Sequence, residues 1–328
     1  MSSTPDPTPR QRDPTASGPA IAIEGATKRF GSVTAVEDLS LQVATGEVFG
    51  LLGPNGAGKT TAIDLILGLT APTDGTVRVF GVDPLRRGME VRNHTGIVMQ
   101  QSALDAYLTG RENVRIYAEL YLGSNSAARR RVDEVLTWTG LSSAADRLVK
   151  GYSGGMRRRL DLAIGALHRP RLLLLDEPTL GLDVQTRHEV WRLVRDMAAH
   201  GTTVLLTTHY LEEADHLCDR VGILNHGHLV ALDTPAQLRS TIVGDLHRLT
   251  LRCAEPCDGT SLELPAMFET TDNGMVLSGA PEQLWRSLAL LRDAYGENLL
   301  EVTYAAPTLD DVVLRLTTDD PHEAAGAR

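Results

Sequence analysis

From residue 20 onward the chain alternates short apolar runs with longer amphipathic stretches. The runs Val48 to Leu52, Leu172 to Leu175, Val204 to Leu206 and Val221 to Leu224 have the length and bounding polar residues of strands buried on both faces. Between them, RENVRIYAELYL places Val114, Tyr117, Leu120 and Tyr121 at helical spacing, and RRRVDEVLTWTGL, GYSGGMRRRLDLAIGAL, WRLVRDMAAHG and HYLEEADHLC follow the same period. The alternation predicts an α/β core with both sheet faces covered by helices. Around residues 21–43 two strands are expected, 75–84 adds a strand and turn, and GIVMQQ is a short strand ending in Gln100 and Gln101.

The pattern changes near residue 240. LHRLTLRC, TSLELP, GMVLSG and LLEVTYA predict strands, PEQLWRSLALLRDAY a helix entered at a proline, and TLDDVVLRLT a last short helix. A core over 20–239, with a helical subdomain over about 101–165, and a small α+β domain over 240–316 are therefore expected. Residues 1–19, rich in Pro, Ser, Thr and charge, are expected to be a disordered leader, and 317–328 a flexible tail.

The chain has 328 residues, a hydrophobic fraction of 42% and a net charge of -10, which argues against a broad nucleic-acid surface. No apolar stretch is long enough to cross a bilayer, and no hydrophobic signal region opens the chain. The three cysteines, Cys218, Cys253 and Cys257, are read as lacking a disulfide framework, which suits a reducing cytoplasm; with no second Cys or His pair beside Cys253 and Cys257, zinc is not expected.

Chemistry enters at GPNGAGKTT, directly after the first apolar run. Gly53, Pro54, Asn55, Gly56, Ala57, Gly58, Lys59 and Thr60 fit the phosphate-loop pattern, followed by Thr61. The glycines let the backbone amides face inward as an anion nest, and the helix that follows adds its positive end. Lys59 can reach the terminal phosphates, Thr60 can offer a hydroxyl to Mg²⁺, and Thr61 can assist at the α-phosphate. Asp176 closes an apolar strand as a magnesium carboxylate does, and Glu177 is the candidate general base, against the simpler reading of a helix cap or a solvated pair. His209 ends another apolar strand and can hold the γ-phosphate or the attacking water. Gln100, with Gln101 as the fallback, can meet the metal or its water. Phe30 is either a purine-stacking ring or a core aromatic. Ser153, Gly154 and Gly155 precede a helix and are either a cap or a second phosphate site supplied in trans. Arg157, Arg158 and Arg159 are read as a solvated helix face.

Taken together, GPNGAGKTT, Gln100, YSGGM, LLLLDEPT, the GLD at 181–183 and His209 occur in the order of an ABC transporter nucleotide-binding subunit, which the chain resembles over roughly residues 21–236. The resemblance implies a P-loop NTPase core with a helical subdomain, ATP and Mg²⁺ as ligands, and a homodimer that sandwiches two nucleotides. It assigns Phe30 to adenine stacking, Asp183 to the dimer-contact loop, and Ser153, Gly154 and Gly155 to the partner's site. Tyr152 and Met156 stand where that family has leucine and glutamine. LTGRENV at 108–114 and the closing PTLDDVVLRLT resemble the daunorubicin/doxorubicin-resistance subfamily, which implies a separate ABC-2 type membrane permease, attachment to the cytoplasmic face of the membrane, and efflux of anthracyclines or other hydrophobic compounds. Two rival readings stay open: a soluble ABC ATPase acting on ribosomes or DNA, which usually carries duplicated ATPase sets or a long coiled coil, and a non-catalytic regulatory ATP binder, which the intact Lys59, Asp176, Glu177 and His209 oppose.

Overall fold

A computed structural model describes residues 18–255, 257, 262–271 and 273–317. The expected leader, apart from residues 18 and 19, and the tail beyond 317 lie outside them. The chain divides after Thr234 into two compact units.

The first unit runs β1 (Ile21–Phe30), β2 (Val33–Val43), β3 (Val48–Leu52), α1 (Lys59–Ile66), β4 (Asp74–Val79), α2 (Gly88–Asn93), β5 (Thr95–Val98), α3 (Gly110–Leu122), α4 (Ser126–Trp138), α5 (Gly154–Gly165), β6 (Leu172–Asp176), α6 (Val184–Ala199), β7 (Thr203–Thr208), α7 (Leu211–Leu217), β8 (Arg220–Asn225) and β9 (His228–Asp233). Six strands form one sheet in the order β5-β6-β7-β3-β8-β9, parallel except for β9 at the edge. The order departs from chain order because each parallel return needs a crossover. Every residue of β3, β6 and β7 is buried. Each fully buried leucine of β6 stabilises the fold by about 2 kcal/mol. The first two strands join β4 in a separate antiparallel sheet, β2-β1-β4. GIVMQQ ends as a strand at Val98, two residues before Gln100, because parallel pairing with β6 stops at Leu175.

The helices α3, α4 and α5 build their own apolar cluster from Val114, Val132, Leu136, Leu141, Leu160 and their neighbours. Their starts are fixed by short polar side chains. Thr109 and Glu112 form a reciprocal capping box on α3, and Asn125 accepts from the Ala128 amide on α4.

The second unit contains α8 (Pro235–Leu238), β10 (His247–Cys253), β11 (Met267–Thr271), β12 (Gly274–Gly279), α9 (Pro281–Tyr295), β13 (Leu299–Ala305) and α10 (Leu309–Thr317). The four strands form an antiparallel sheet, β11-β12-β10-β13, whose Leu249, Leu251, Met275 and Leu277 pack with Leu284 and Leu291 of α9. Two expectations are corrected here. The strand assigned to TSLELP lies at Met267–Thr271 instead; Thr260 and Ser261 fall outside the described residues, and Leu262 to Pro265 are irregular. The pairing partner decides this, since β12 takes Met267 to Thr271 in unbroken register. The cysteines are also not all free: Cys253 and Cys257 are joined by a disulfide, while Cys218 is a buried thiol. β10 ends at Cys253, and the Cα atoms of Cys253 and Cys257 lie 6.5 Å apart, within bridging range.

No helix among the described residues is long and apolar enough to cross a membrane.

Candidate functional site

Three neighbouring parallel strands, β6, β7 and β3, carry the predicted chemistry at their carboxyl ends, where open α/β sheets bind ligands. The phosphate loop leaves β3 after Leu52 and enters α1 at Lys59. Gly53 has φ +147° and Gly58 φ +106°; a Cβ on either would strike a backbone oxygen, Leu224 O at 2.2 Å or Ala35 O at 2.5 Å. Only glycine fits both turns. Pro54, Asn55 and Gly56 are exposed, Ala57 is buried beneath them, and Thr61 is half-buried. No side chain caps α1, so its first-turn amides stay open toward an anion. Lys59 is buried, its Nζ donating to Gly53 O (2.7 Å) and Pro54 O (3.0 Å). Burial pulls its pKa below the usual lysine value, and the carboxylates of Glu177 and Asp176 oppose that shift.

Asp176 is the last residue of β6, and its Oδ1 accepts from Thr207 Oγ1 at 2.6 Å. Its Oδ2 and the exposed Thr60 hydroxyl are hard oxygen donors of the kind Mg²⁺ takes, so the residues present fit that ion. Glu177 is buried at φ +51°, a left-handed backbone for an acidic residue, and its amide donates to Thr207 O at 3.0 Å. The Glu177 Oε2 lies 2.5 Å from Nδ1 of His209, the residue after β7. This is an ion-pair approach without hydrogen-bond alignment, and among the described residues Oε2 has no hydrogen-bond partner. The structure thus brings Lys59, Asp176, Glu177 and His209 to one place.

Among the described residues, none of the remaining predicted residues hydrogen-bonds to that group. Gln100 and Gln101 are exposed in the loop after β5. Phe30 is 52% exposed at the end of β1, with Lys28 Nζ 4.8 Å above its ring. Ser153 caps α5, its hydroxyl accepting from the Met156 amide at 3.2 Å, and Gly154 beside it is exposed whereas Gly155 is buried. Asp183 caps α6, and bonds from the Thr186 amide and hydroxyl hold its carboxyl below the usual range. Tyr152 is buried and donates its hydroxyl to Ala144 O at 2.7 Å, so it anchors the turn in the helical cluster.

The solvated reading of the arginine run is corrected. Arg157 is exposed and Arg159 half-buried, but Arg158 is only 7% exposed. Its guanidinium points inward because the helical face it occupies packs on the strand ends. Sequence reading also passed over Glu213, fully buried on α7, whose Oε1 accepts from Trp191 Nε1 at 3.0 Å and whose pKa burial raises. A heptad-like period would have marked neither residue, since both are charged groups on buried faces.

A family model described as ABC transporter matches residues 36–180. The chain is 42% identical over 306 residues to the daunorubicin resistance ATP-binding protein DrrA3 of Streptomyces coeruleorubidus, covering 92% of this chain and 96% of that one. It is 38% identical to the Nod factor export ATP-binding protein I of Sinorhizobium fredii, over 91% and 86% of the two chains. Among solved structures, a dimeric ATP-binding cassette in a post-hydrolysis state with ADP and phosphate aligns with a TM-score of 0.60 and 27% identity, covering 65% of this chain and 98% of that one.

Proposed function

The chain belongs to the ATP-binding, ATP-hydrolysing subunits of ABC transporters, in the group related to the drug-resistance and Nod-factor export ATPases, and from that premise we propose that it drives export of a hydrophobic or amphiphilic molecule through a separate ABC-2 type permease. The observation that carries the mechanism is the meeting of Lys59, at the start of α1 beyond β3, with Glu177 and His209, which follow the adjacent strands β6 and β7, and with Asp176 beside them. Phosphate-loop amides and the Lys59 ammonium hold the terminal phosphates of ATP, exchanging the two loop carbonyls for phosphate oxygens. Thr60, Asp176 and Gln100 are the residues for Mg²⁺, which when bound neutralises charge on the transferred phosphoryl group. Glu177 accepts a proton from the attacking water, and His209 holds that carboxylate through Nδ1 while Nε2 remains for the γ-phosphate. Phe30 offers its exposed ring to the adenine.

Ser153, Gly154 and Gly155, with Asp183, complete the nucleotide site of a second copy, so that ATP closes a homodimer and hydrolysis releases it. The subunit works peripherally at the cytoplasmic face of the membrane. End-to-end similarity to exporter ATPases favours this over a ribosome- or DNA-directed ATPase, and the intact constellation favours it over a regulatory ATP binder. An anthracycline-like cargo is the narrower proposal.

Glu177→Gln tests the reading. ATP binding is expected to persist while turnover falls by roughly 100-fold or more, the loss expected of a general base. Wild-type turnover in that variant would remove Glu177 from the role.

A further inference from the structure

Arg158 lies on α5, five residues beyond Ser153, with a buried guanidinium whose hydrogen bonds all go to main-chain carbonyls. Nε donates to Pro178 O at 2.6 Å, Nη1 to Met99 O at 2.6 Å, and Nη2 to both Asp176 O and Glu177 O at 2.9 Å. These four carbonyls belong to two segments distant in sequence. One carries Gln100; the other carries the two carboxylates and opens the turn to Asp183. On the far side of Gln100, Ser102 Oγ donates to Asp161 Oδ1 at 2.9 Å, and Asp161 is also on α5. One helix therefore grips the loop before and after Gln100. It also holds the carbonyl of Glu177, whose strained left-handed backbone persists only where its surroundings fix it. Only a planar fork of five donors can span both segments at once; a lysine ammonium is a point charge that cannot.

We propose that Arg158 is the positioning residue that binds the Ser153 turn, Gln100 and Glu177 into one rigid assembly. A nucleotide in the partner's phosphate loop that engages Ser153 then aligns the base and the glutamine loop of the chain that supplies the serine. This deepens the ATPase reading above and rests on it.

Hydrogen exchange on the full chain tests the strut without requiring turnover. In Arg158→Lys, exchange at 99–104 and at 177–182 should rise at least about tenfold, with the amides of β3 and β7 still protected. Ser102→Ala, which leaves the buried charge in place, should loosen 99–104 alone. In a Glu177→Gln background, Arg158→Lys should bind a fluorescent ATP analogue within about twofold of its parent but form at least about tenfold less ATP-dependent dimer. Unchanged exchange in both segments, or a rise shared equally by the sheet, overturns the proposal; so does undiminished dimer. If Glu177→Gln alone forms no ATP-dependent dimer, the ATP-closed homodimer proposed above fails, and the exchange pattern still decides the role of Arg158.

Discussion

Asp161 shows how one side chain can cost stability while serving an arrangement. Burial raises its pKa to about 6, against the opposing pull of the Ser102 hydroxyl and the Arg158 guanidinium. The folded state therefore binds that proton more tightly than the unfolded chain, and stability falls as pH rises from the unfolded carboxyl range to about 6. Asp161→Asn keeps an acceptor for Ser102 without the charge. It should be more stable than the parent by up to about 3 kcal/mol above pH 7, with the difference vanishing near pH 4. Denaturation midpoints across that range would check this, and a pH-independent difference would count against it. At this scale the sequence was most informative where chemistry sits at fixed spacing from a strand end: Lys59 after one apolar run, Asp176 and Glu177 closing another, His209 closing a third. Arg158 escaped because three consecutive arginines carry no period that says which one turns inward, and only the packing of α5 decides it.

Between elements, close backbone approach fixes where α5 lies. A Cβ on Gly96 of β5 would come within 2.2 Å of Gly165 O, at the end of α5, and 3.0 Å of Pro170 Cγ. Gly96→Ala should therefore push that helix off the sheet and cost about 1–3 kcal/mol, seen as a lower denaturant midpoint at unchanged slope. An unaltered midpoint would mean the contact is not tight. Helix positions were legible from periodicity, as at Val114, Tyr117, Leu120 and Tyr121 of α3, whose start the structure fixes with the capping box of Thr109 and Glu112. Strand partners were less so. Nothing in the alternation of 21–43 says that β1 and β2 leave the main sheet to pair with β4, since antiparallel and parallel partners draw on the same residue types. For the same reason the alternation favours TSLELP over Met267–Thr271, the segment that β12 takes as its partner. The Cys253–Cys257 bridge is not legible in the sequence because spacing alone does not show that the two Cα atoms come within 6.5 Å.

For the whole molecule, the parallel sheet with its helical subdomain was foreseeable from the alternation of apolar runs and amphipathic stretches, and the second unit from the change of pattern near residue 240, although the chain divides after Thr234. What a single chain cannot contain is the other half of each proposed nucleotide site. Ser153 and Asp183 are turned to helix capping here, and among the described residues neither hydrogen-bonds to Lys59, Asp176, Glu177 or His209. The proposed division of labour between copies is tested most directly by mixing two disabled chains, one Lys59→Ala and the other Ser153→Arg. If each site takes its lysine from one copy and its serine from the other, a mixed dimer regains one intact site, and ATP turnover absent from either chain alone returns on mixing. Turnover that stays absent, with mixed dimers demonstrably formed, would contradict the shared site.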